Sequence, residues 1–327
     1  MKVLPRKTVL TGDALVVLPE LLAESVDCVV TSPPYFGLRD YGVARQIGRE
    51  SSVAEWVADM RRVFAGIARV LKPHGSVWLN VGDHYSRHRS SGAPPKGLLA
   101  APERLLLALA ADGWLCRNKV VWAKPNPLPQ SARDRLSPTY ELVYFLTRGS
   151  NYFFDLDAIR VPHRSHRHRP EPATRLYQGG NGGLSALKAR GQVGHRNGKN
   201  PGDVWTIPTA TDRLGHQATF PEALIERPIL ATCPERICVQ CDRAWTRPVR
   251  VLTVHTKQGA RTARKVGELQ RCDCFAPSRP GVVLDPFFGT GTVGAVAERL
   301  GRDWLGIELN PAYAALAERR INERRAA

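Results

Sequence analysis

The hydrophobic residues of the chain form short apolar runs separated by longer, helically spaced series. The short runs predict buried strands at residues 8–10, 27–31, 76–81, 116–122 and 142–147. Between them, residues 52–71 carry apolar side chains three and four positions apart, which predicts an amphipathic helix that Lys72-Pro73-His74-Gly75 should end. Further helices are predicted after Asp13 as far as Leu22, and over residues 102–113, where a glycine ends the pattern. This alternation predicts an α/β fold whose mostly parallel sheet carries helices on both faces.

The C-terminal part contains a strand–helix–strand unit around a glycine-rich loop. Residues 282–284 predict a strand, 292–300 a helix and 304–307 a second strand. The loop Gly289-Thr290-Gly291-Thr292-Val293-Gly294 fits G-x-G-x-x-G, in which glycines let a ligand approach the backbone at a helix N-terminus. Glu308 ends the second strand, where a carboxylate can accept from two ribose hydroxyls. The unit is therefore expected to bind a nucleotide.

Two features favour S-adenosylmethionine over NAD as this nucleotide. Asp285 follows the first strand directly, and a carboxylate there would attract an amino group and repel a pyrophosphate. The chain ends about twenty residues after Glu308, so a second dinucleotide half is not expected after it. The rest of the sheet should then come from the N-terminal part, which predicts a permuted strand order.

The charge of the 327-residue chain indicates a polyanionic partner. Lys and Arg total 47 against 30 Asp and Glu, a net charge of +17 with a pI near 10.0, which favours nucleic acid as partner; a basic proteome or a solvated surface is the alternative. Residues 159–200 are rich in Gly, Arg and His and lack core periodicity, so they are expected to be a disordered insertion that contacts double-stranded DNA. The candidate DNA contacts are Arg160, Arg164, Arg167, Arg169, Arg175, Lys188, Arg190, Arg196 and Lys199.

The segment Thr31-Ser32-Pro33-Pro34-Tyr35 follows one predicted strand directly. Its two prolines cannot donate to a sheet, and they hold the backbone extended. Together with Asp285-Pro286-Phe287-Phe288-Gly289-Thr290-Gly291, it resembles the N4-cytosine and N6-adenine DNA methyltransferases. The order of the two motifs is similar to the permuted, beta-type group. Further likeness lies at residues 12–13, 71–73, 122–125, 140–141, 216 and 220–221.

The resemblance implies a circularly permuted, Rossmann-like fold that uses S-adenosylmethionine, with an inserted DNA-recognition region. It implies catalytic roles for Ser32, Pro33, Pro34 and Tyr35. The Ser32 hydroxyl and the Pro33 carbonyl would accept the two hydrogens of an exocyclic amine and free its lone pair, while Tyr35 would stack on the flipped base. Direct transfer of the methyl group would follow from proximity and alignment. A serine at position 32 favours cytosine N4 in this family, with adenine N6 as the alternative.

The resemblance also implies a set of cofactor contacts. Asp13 would contact the adenine, Asp285 the methionine amine and Glu308 the ribose. The remaining candidates along the pocket are Thr31, His216, Phe220, Pro286, Phe287, Gly289, Thr290 and Gly291. Two other classes of function stay open, namely an inactive DNA-binding module and methylation of an RNA amine or a protein amide.

Five of the seven cysteines cluster between residues 233 and 274. Cys238 and Cys241 have the spacing of half a zinc knuckle, and Cys272 and Cys274 can supply the other two thiolates of a structural zinc site. Cys233 and His255 are spare candidate ligands, and reduced thiols without metal are the alternative. Cys28 and Cys116 are expected to be core residues on strands.

The predicted organisation has five parts. These are a catalytic half (1–155), a DNA-contacting insertion (156–212), a cofactor-pocket segment (213–232), a zinc-ribbon-like insertion (233–276) and a cofactor-binding half (277–327). The sequence lacks an apolar run of eighteen residues or a signal peptide, so a cytoplasmic protein without a membrane partner is expected. The family also implies a restriction endonuclease acting on the same DNA site, and both monomer and homodimer stay open.

Overall fold

Helices and strands alternate along most of the computed structural model, which describes residues 4–162, 195, 197–210, 220–256 and 259–326. For residues 249–265 and 326 only the backbone is described. The helices are α1 (Ala14–Glu20), α2 (Val53–Val70), α3 (Ala101–Ala111), α4 (Leu156–Ile159), α5 (Glu222–Thr232), α6 (Thr292–Arg299) and α7 (Pro311–Ala326). The strands are β1 (Thr8–Thr11), β2 (Val26–Thr31), β3 (Leu71–Val81), β4 (Leu115–Ala123), β5 (Tyr140–Thr147), β6 (Val204–Thr206), β7 (Arg236–Cys238), β8 (Ala244–Trp245), β9 (Val249–Thr256), β10 (Gly259–Val266), β11 (Ser278–Arg279), β12 (Val282–Asp285) and β13 (Asp303–Glu308).

Eight strands form the central sheet in the order β1-β13-β12-β2-β3-β5-β4-β6. The pairs from β1 through β3 are parallel, β5 runs antiparallel to both of its neighbours, and β6 is parallel to β4. The C-terminal strands β12 and β13 thus lie between β1 and β2, so the N-terminal part supplies their outer neighbours, as the sequence predicted. The α/β class with a mostly parallel sheet is confirmed, whereas the circular permutation stays a prediction.

Both faces of this sheet are covered, because every residue of β2 and of β13 is buried. Side chains alternate along β2: Val29 packs in one core cluster with α1, α2 and α3, and Val30 packs in a second with α5, α6 and α7. The helices therefore lie on both sides of the sheet, as the alternating pattern predicted.

Helix α2 shows how the sequence sets an element boundary. The Ser52 hydroxyl caps it by accepting from the Glu55 amide at 3.3 Å, and its apolar stripe is buried except for Val57, which is partly buried. The helix ends at Val70, but β3 begins at once with Leu71, earlier than the predicted strand start at Ser76. The start is irregular: the register with β2 shifts between Val26 and Cys28, where Pro73 and Gly75 interrupt regular pairing.

A smaller part of the chain follows α5. Strands β11, β7 and β8 form a three-stranded antiparallel sheet, and β9 and β10 form a separate hairpin. The helices α4, α5 and α7 are not predicted from the sequence, and neither are the bounds of the hairpin strands. None of the helices described is both long enough and apolar enough to span a membrane.

Candidate active site and cysteine cluster

The candidate active site lies at the carboxyl ends of four parallel strands. Asp13 follows β1, Glu308 ends β13, Asp285 ends β12 and Ser32 follows β2. These strands are neighbours in the sheet, and the carboxyl ends of parallel strands meet at one edge. The topology therefore brings together residues that are nearly 300 positions apart in the sequence.

The glycine-rich loop between β12 and α6 is tied to Glu308. The Gly289 amide donates to Glu308 Oε2 at 2.6 Å, and the Asn310 amide donates to Oε1 at 2.8 Å. Gly291 has φ +79°, and a side chain there would also meet Ala317 at 2.9 Å, so glycine is required. Burial raises the pKa of Glu308 above its usual value.

Asp285 is almost completely buried beneath the loop. The Thr31 hydroxyl donates to its Oδ1 at 2.7 Å, and the Phe287 amide donates to the same atom at 3.0 Å. Burial outweighs these two hydrogen bonds and raises the pKa of Asp285 to about 7. The carboxyl is thus poised between its neutral and charged forms, and a cation beside it would favour the charged form.

A cleft that is open to solvent lies beside these residues. Its lining contains nine of the predicted site residues, namely Asp13, Ser32, Pro34, Phe220, Pro286, Phe287, Gly289, Thr290 and Glu308. The other described candidates are not among the lining residues; these are Thr31, Pro33, Tyr35, Asp285 and Gly291. His216 lies outside the described residues.

The sequence did not identify one wall of this cleft. Tyr41, Val43, Arg45, Gln46 and Ile47 come from the loop that follows the diproline segment. The loop is held together internally, because the Tyr41 amide donates to Gln46 Oε1 at 2.7 Å. The only signal for this wall was position, because the loop begins directly after a predicted site motif.

A polar network fixes the Ser32 end of the cleft. The Tyr35 hydroxyl donates to Glu141 Oε2 at 2.8 Å, and the Ser32 hydroxyl lies 3.2 Å from the Tyr35 hydroxyl. Asn80 Nδ2 donates to Glu141 Oε2 at 3.1 Å and to the Leu142 carbonyl at 3.2 Å, while its Oδ1 lies 3.4 Å from the Ser32 hydroxyl. Lys124 Nζ donates to Glu141 Oε1 and completes the network.

Tyr35 is more enclosed than its place at a strand tip suggested. Burial and the neighbouring Glu141 charge raise the pKa of Tyr35 well above its usual value. Gly82 backs its ring closely, since a Cβ there would lie 2.7 Å from Tyr35 Cε2. The stacking role of Tyr35 stays a prediction. Asn80 was missed by sequence reasoning because an asparagine at the end of an apolar strand carries no motif.

The diproline segment is held from the side of α2. Trp56 Nε1 donates to the Pro34 carbonyl at 3.0 Å, and Trp56 itself is fully buried. Pro33 is buried as well. Two fixed proline φ angles and one buried indole thus hold the backbone beside Ser32.

Arg160, the first candidate DNA contact, has partners within the protein, and its role in DNA binding stays a prediction. Arg160 Nε lies 2.5 Å from Asp157 Oδ1, its Nη1 donates to the Gly198 carbonyl at 3.1 Å, and its side chain is only 14% exposed. Arg160 therefore serves to close the base of the insertion, which the antiparallel bridge between Val161 and Lys199 also joins. The candidates Arg164, Arg167, Arg169, Arg175, Lys188, Arg190 and Arg196 lie outside the described residues.

The cysteines separate into a cluster of four and three thiols outside it. The sulfur atoms of Cys238, Cys241, Cys272 and Cys274 all lie within 4.8 Å of one another. Cys233, the spare candidate, is not with them, because it is fully buried in the core between the sheet and α5, α6 and α7. The prediction that Cys116 is a core residue is also wrong: its side chain is exposed on β4. The His255 side chain lies outside the described part of the chain.

Comparison with known proteins identifies the class to which this fold and site belong. Residues 26–319 match the model of the N6/N4 family of DNA methylases. The chain belongs to this family and is a DNA methyltransferase, which confirms the resemblance found in the two motifs.

Individual relatives extend the match over almost the whole chain. The Type II methyltransferase M.SmaI of Serratia marcescens is 33% identical over 339 residues, covering 97% of this chain and 91% of that protein. The structure of PvuII DNA methyltransferase (cytosine-N4-specific) has a TM-score of 0.60 at 18% identity, covering 98% of this chain and 91% of that one. A protein from Thermus thermophilus, solved in complex with S-adenosyl-L-methionine, has a TM-score of 0.55 at 23% identity, covering 97% of this chain and 93% of that one. The fold is that of the S-adenosylmethionine-dependent methyltransferases.

Proposed function

We propose that this DNA methyltransferase transfers the methyl group of S-adenosylmethionine to N4 of a flipped cytosine in double-stranded DNA. The observation that carries the proposal is the position of Ser32, which lines the cleft directly after β2 and is held by Tyr35 and Asn80. The choice of cytosine is supported by the serine itself, since the family pattern pairs this residue with N4 chemistry. Adenine N6 methylation by the same mechanism is the alternative.

The cofactor is proposed to bind along the edge formed by β1, β13 and β12. Glu308 accepts one backbone amide at each oxygen, and a carboxylate oxygen has capacity for a further donor, which suits the ribose hydroxyls. Asp285 supplies the charge that would pair with the methionine ammonium, and Asp13 lies at the start of α1 for the adenine. Asp13 Oδ1 accepts from the Leu15 amide at 2.9 Å, which fixes its direction.

The polar network supports the role of Ser32 as an acceptor. To accept a hydrogen from the amine, the Ser32 hydroxyl must direct its own proton elsewhere. Two acceptors lie within reach of that proton. The Tyr35 hydroxyl oxygen is 3.2 Å away and gives its own proton to Glu141. Asn80 Oδ1 is 3.4 Å away, and its amide orientation is fixed because Nδ2 donates to Glu141 and to the Leu142 carbonyl. Lys124 neutralises Glu141 in turn. Ser32 would thus meet the amine with a lone pair.

The reaction exchanges one bond for another. The amine nitrogen forms a bond to the methyl carbon while the sulfonium S–C bond breaks, and the methylated amine then loses one proton to water. Nitrogen is a weak nucleophile while its lone pair is delocalised into the base, so hydrogen bonds that favour a tetrahedral nitrogen lower the barrier. Proximity and alignment supply the remaining acceleration.

The biological setting is proposed from the relatives. M.SmaI is named a Type II methyltransferase, and we infer a role in a restriction-modification system with a cognate endonuclease for the same site. Residues 156–212 are proposed to be the DNA-recognition region, because their basic composition suits phosphate contacts.

Product identity tests the proposal. The protein is incubated with unmethylated DNA of mixed sequence and methyl-labelled S-adenosylmethionine, the DNA is digested to nucleosides, and the labelled nucleoside is identified by mass spectrometry. N4-methylcytosine is expected. N6-methyladenine would overturn the base assignment alone, whereas no labelled nucleoside from a protein that still binds the cofactor would favour a non-DNA substrate or an inactive DNA-binding module.

A further inference from the structure

The four clustered cysteines come from two separate loops of the small antiparallel sheet. Cys238 ends β7 and Cys241 lies in the turn to β8, while Cys272 and Cys274 lie between β10 and β11. A tetrahedral site with metal–sulfur bonds of about 2.3 Å needs sulfur–sulfur distances of about 3.8 Å. Since all four sulfur atoms already lie within 4.8 Å of one another, a small contraction of the cluster completes such a site.

The turn that carries the first two cysteines is fixed by the backbone. The Asp242 amide donates to the Cys238 carbonyl at 3.0 Å, and the Cys238 amide donates to the Arg243 carbonyl at 3.0 Å. Asp242 adopts φ +53°, a left-handed conformation that aspartate tolerates better than most residues. The turn therefore brings the Cys238 and Cys241 thiols together before any ligand binds.

Among the side chains that are described, this part of the chain has only a small core. Cys238, Trp245 and Cys272 form one buried cluster, with Leu269, Cys274 and Ala276 partly buried beside them, and Ile237 on β7 is buried as well. The β9–β10 hairpin pairs with no further strand among the described residues, and an isolated two-stranded hairpin is at best marginally stable in water. Small units of this kind usually need a cross-link or a metal ion.

Trp245 provides an independent observation. Its indole Nε1 is buried and has no hydrogen-bond partner within the described part of the protein. Its ring belongs to the same buried cluster as Cys238 and Cys272. Leaving such a donor unpaired costs about 1–3 kcal/mol. Metal-bound cysteine is a thiolate, and a thiolate is a better hydrogen-bond acceptor than a neutral thiol.

We propose that Cys238, Cys241, Cys272 and Cys274 bind one structural zinc ion, which holds the β9–β10 hairpin to the three-stranded sheet. Thiolates are the ligands that zinc prefers in structural sites, and four of them leave no open position for substrate. The ion therefore contributes folding free energy and takes no part in methyl transfer.

The location of the site agrees with a structural role. Asp242, next to Cys241, accepts from Lys72 Nζ at 2.6 Å and from Arg279 Nη2 at 3.1 Å, and the same Lys72 lies 3.0 Å from Asp27 at the start of β2. Asp27 and Ser32 are five residues apart along β2, which corresponds to about 16 Å. The zinc-bound unit is thus anchored at the end of the sheet opposite the cleft.

Metal analysis of the full-length protein tests this proposal. The protein is purified without a histidine tag and under reducing conditions, and its metals are measured by inductively coupled plasma mass spectrometry. About one zinc per chain is expected. Cys241→Ser should lose the zinc, whereas Cys116→Ser, which removes an exposed thiol outside the cluster, should retain it. Loss of zinc should also make the hairpin sensitive to proteolysis while S-adenosylmethionine affinity changes less than twofold.

The wild-type protein decides the result even if Cys241→Ser fails to fold. Replacement of the ion by Co²⁺ should give the ligand-field absorption of a tetrahedral thiolate site. Wild-type protein that contains free thiols and no zinc, a disulfide within the cluster, or iron in place of zinc would overturn the proposal. Equal loss of zinc in Cys116→Ser would also overturn it.

Discussion

The raised pKa of Asp285 predicts that S-adenosylmethionine affinity depends on pH below neutrality. A protonated Asp285 carries no charge for the cofactor ammonium, so binding selects the ionised form. With a pKa of about 7 in the free protein, the association constant should be about thirtyfold below its plateau at pH 5.5 and about twofold below it at pH 7. Affinity should therefore rise roughly fifteenfold over this interval and change little above it, until the cofactor amine loses its own proton near pH 8.

Thr31→Val removes one of the two hydrogen bonds that favour the charged form of Asp285. A hydrogen bond to a charged group contributes about 1.5 kcal/mol, so the loss of this bond should raise the pKa of Asp285 by about one. The expected result is a roughly fivefold weaker affinity at pH 7. Thr31→Ser keeps the hydroxyl and is the matched control, with affinity close to the wild type.

Isothermal titration calorimetry, without DNA so that no turnover occurs, measures the affinity of the wild type at each pH and the affinity of each variant. Titrations in two buffers with different ionisation enthalpies should show that binding releases most of one proton at pH 6.5. Constant affinity between pH 5.5 and 7.5, with no proton release, would refute the pairing of Asp285 with the ammonium. A Thr31→Val defect with the same pH profile as the wild type would instead indicate lost packing. Glu308 acts in the same direction, because burial raises its pKa too.

Three further predictions concern catalysis and DNA binding. Ser32→Ala should lower the single-turnover methylation rate by about ten- to a thousandfold with cofactor affinity unchanged. The control Ser131→Ala, at an exposed serine, should keep the wild-type rate. Full activity of Ser32→Ala would exclude Ser32 from the mechanism. Glu141→Gln should lower the rate by about tenfold, because it weakens the hydrogen bonds to Tyr35 and Asn80, and should shift kcat more than KM; an equal loss of cofactor affinity would indicate disruption of the cleft. Replacing Arg164, Arg167 and Arg169 in the basic insertion by glutamine should reduce the slope of log DNA affinity against log salt concentration by about 0.9 per lost phosphate contact. An unchanged slope would show that the segment is a linker.

The sequence predicted the helices and strands whose buried positions can be recognised from the spacing of their own apolar residues. Strand β2 and helix α2 were found because their apolar residues match one periodicity, and the two motifs placed the cleft at the ends of β2 and β12. Helix α7 was missed because its charged sequence shows little amphipathic pattern. Partners distant in the sequence could not be predicted, as with Lys72 and Asp242, which are 170 residues apart. The hydrogen bond from Arg160 to the Gly198 carbonyl could not be predicted for the same reason, since Gly198 lies across the insertion.

The strand order has a consequence for biosynthesis. Strand β2 pairs with β3 early in the sequence, but its other neighbour, β12, is made about 250 residues later, and β1 pairs with β13 after a still longer delay. Contacts so distant in sequence slow folding, and the nascent chain must keep one edge of β2 unpaired until β12 is made. All four strands that surround the cleft are required before Asp285, Glu308 and Ser32 meet. A chain that has not yet made β12 and β13 therefore lacks an assembled cofactor site.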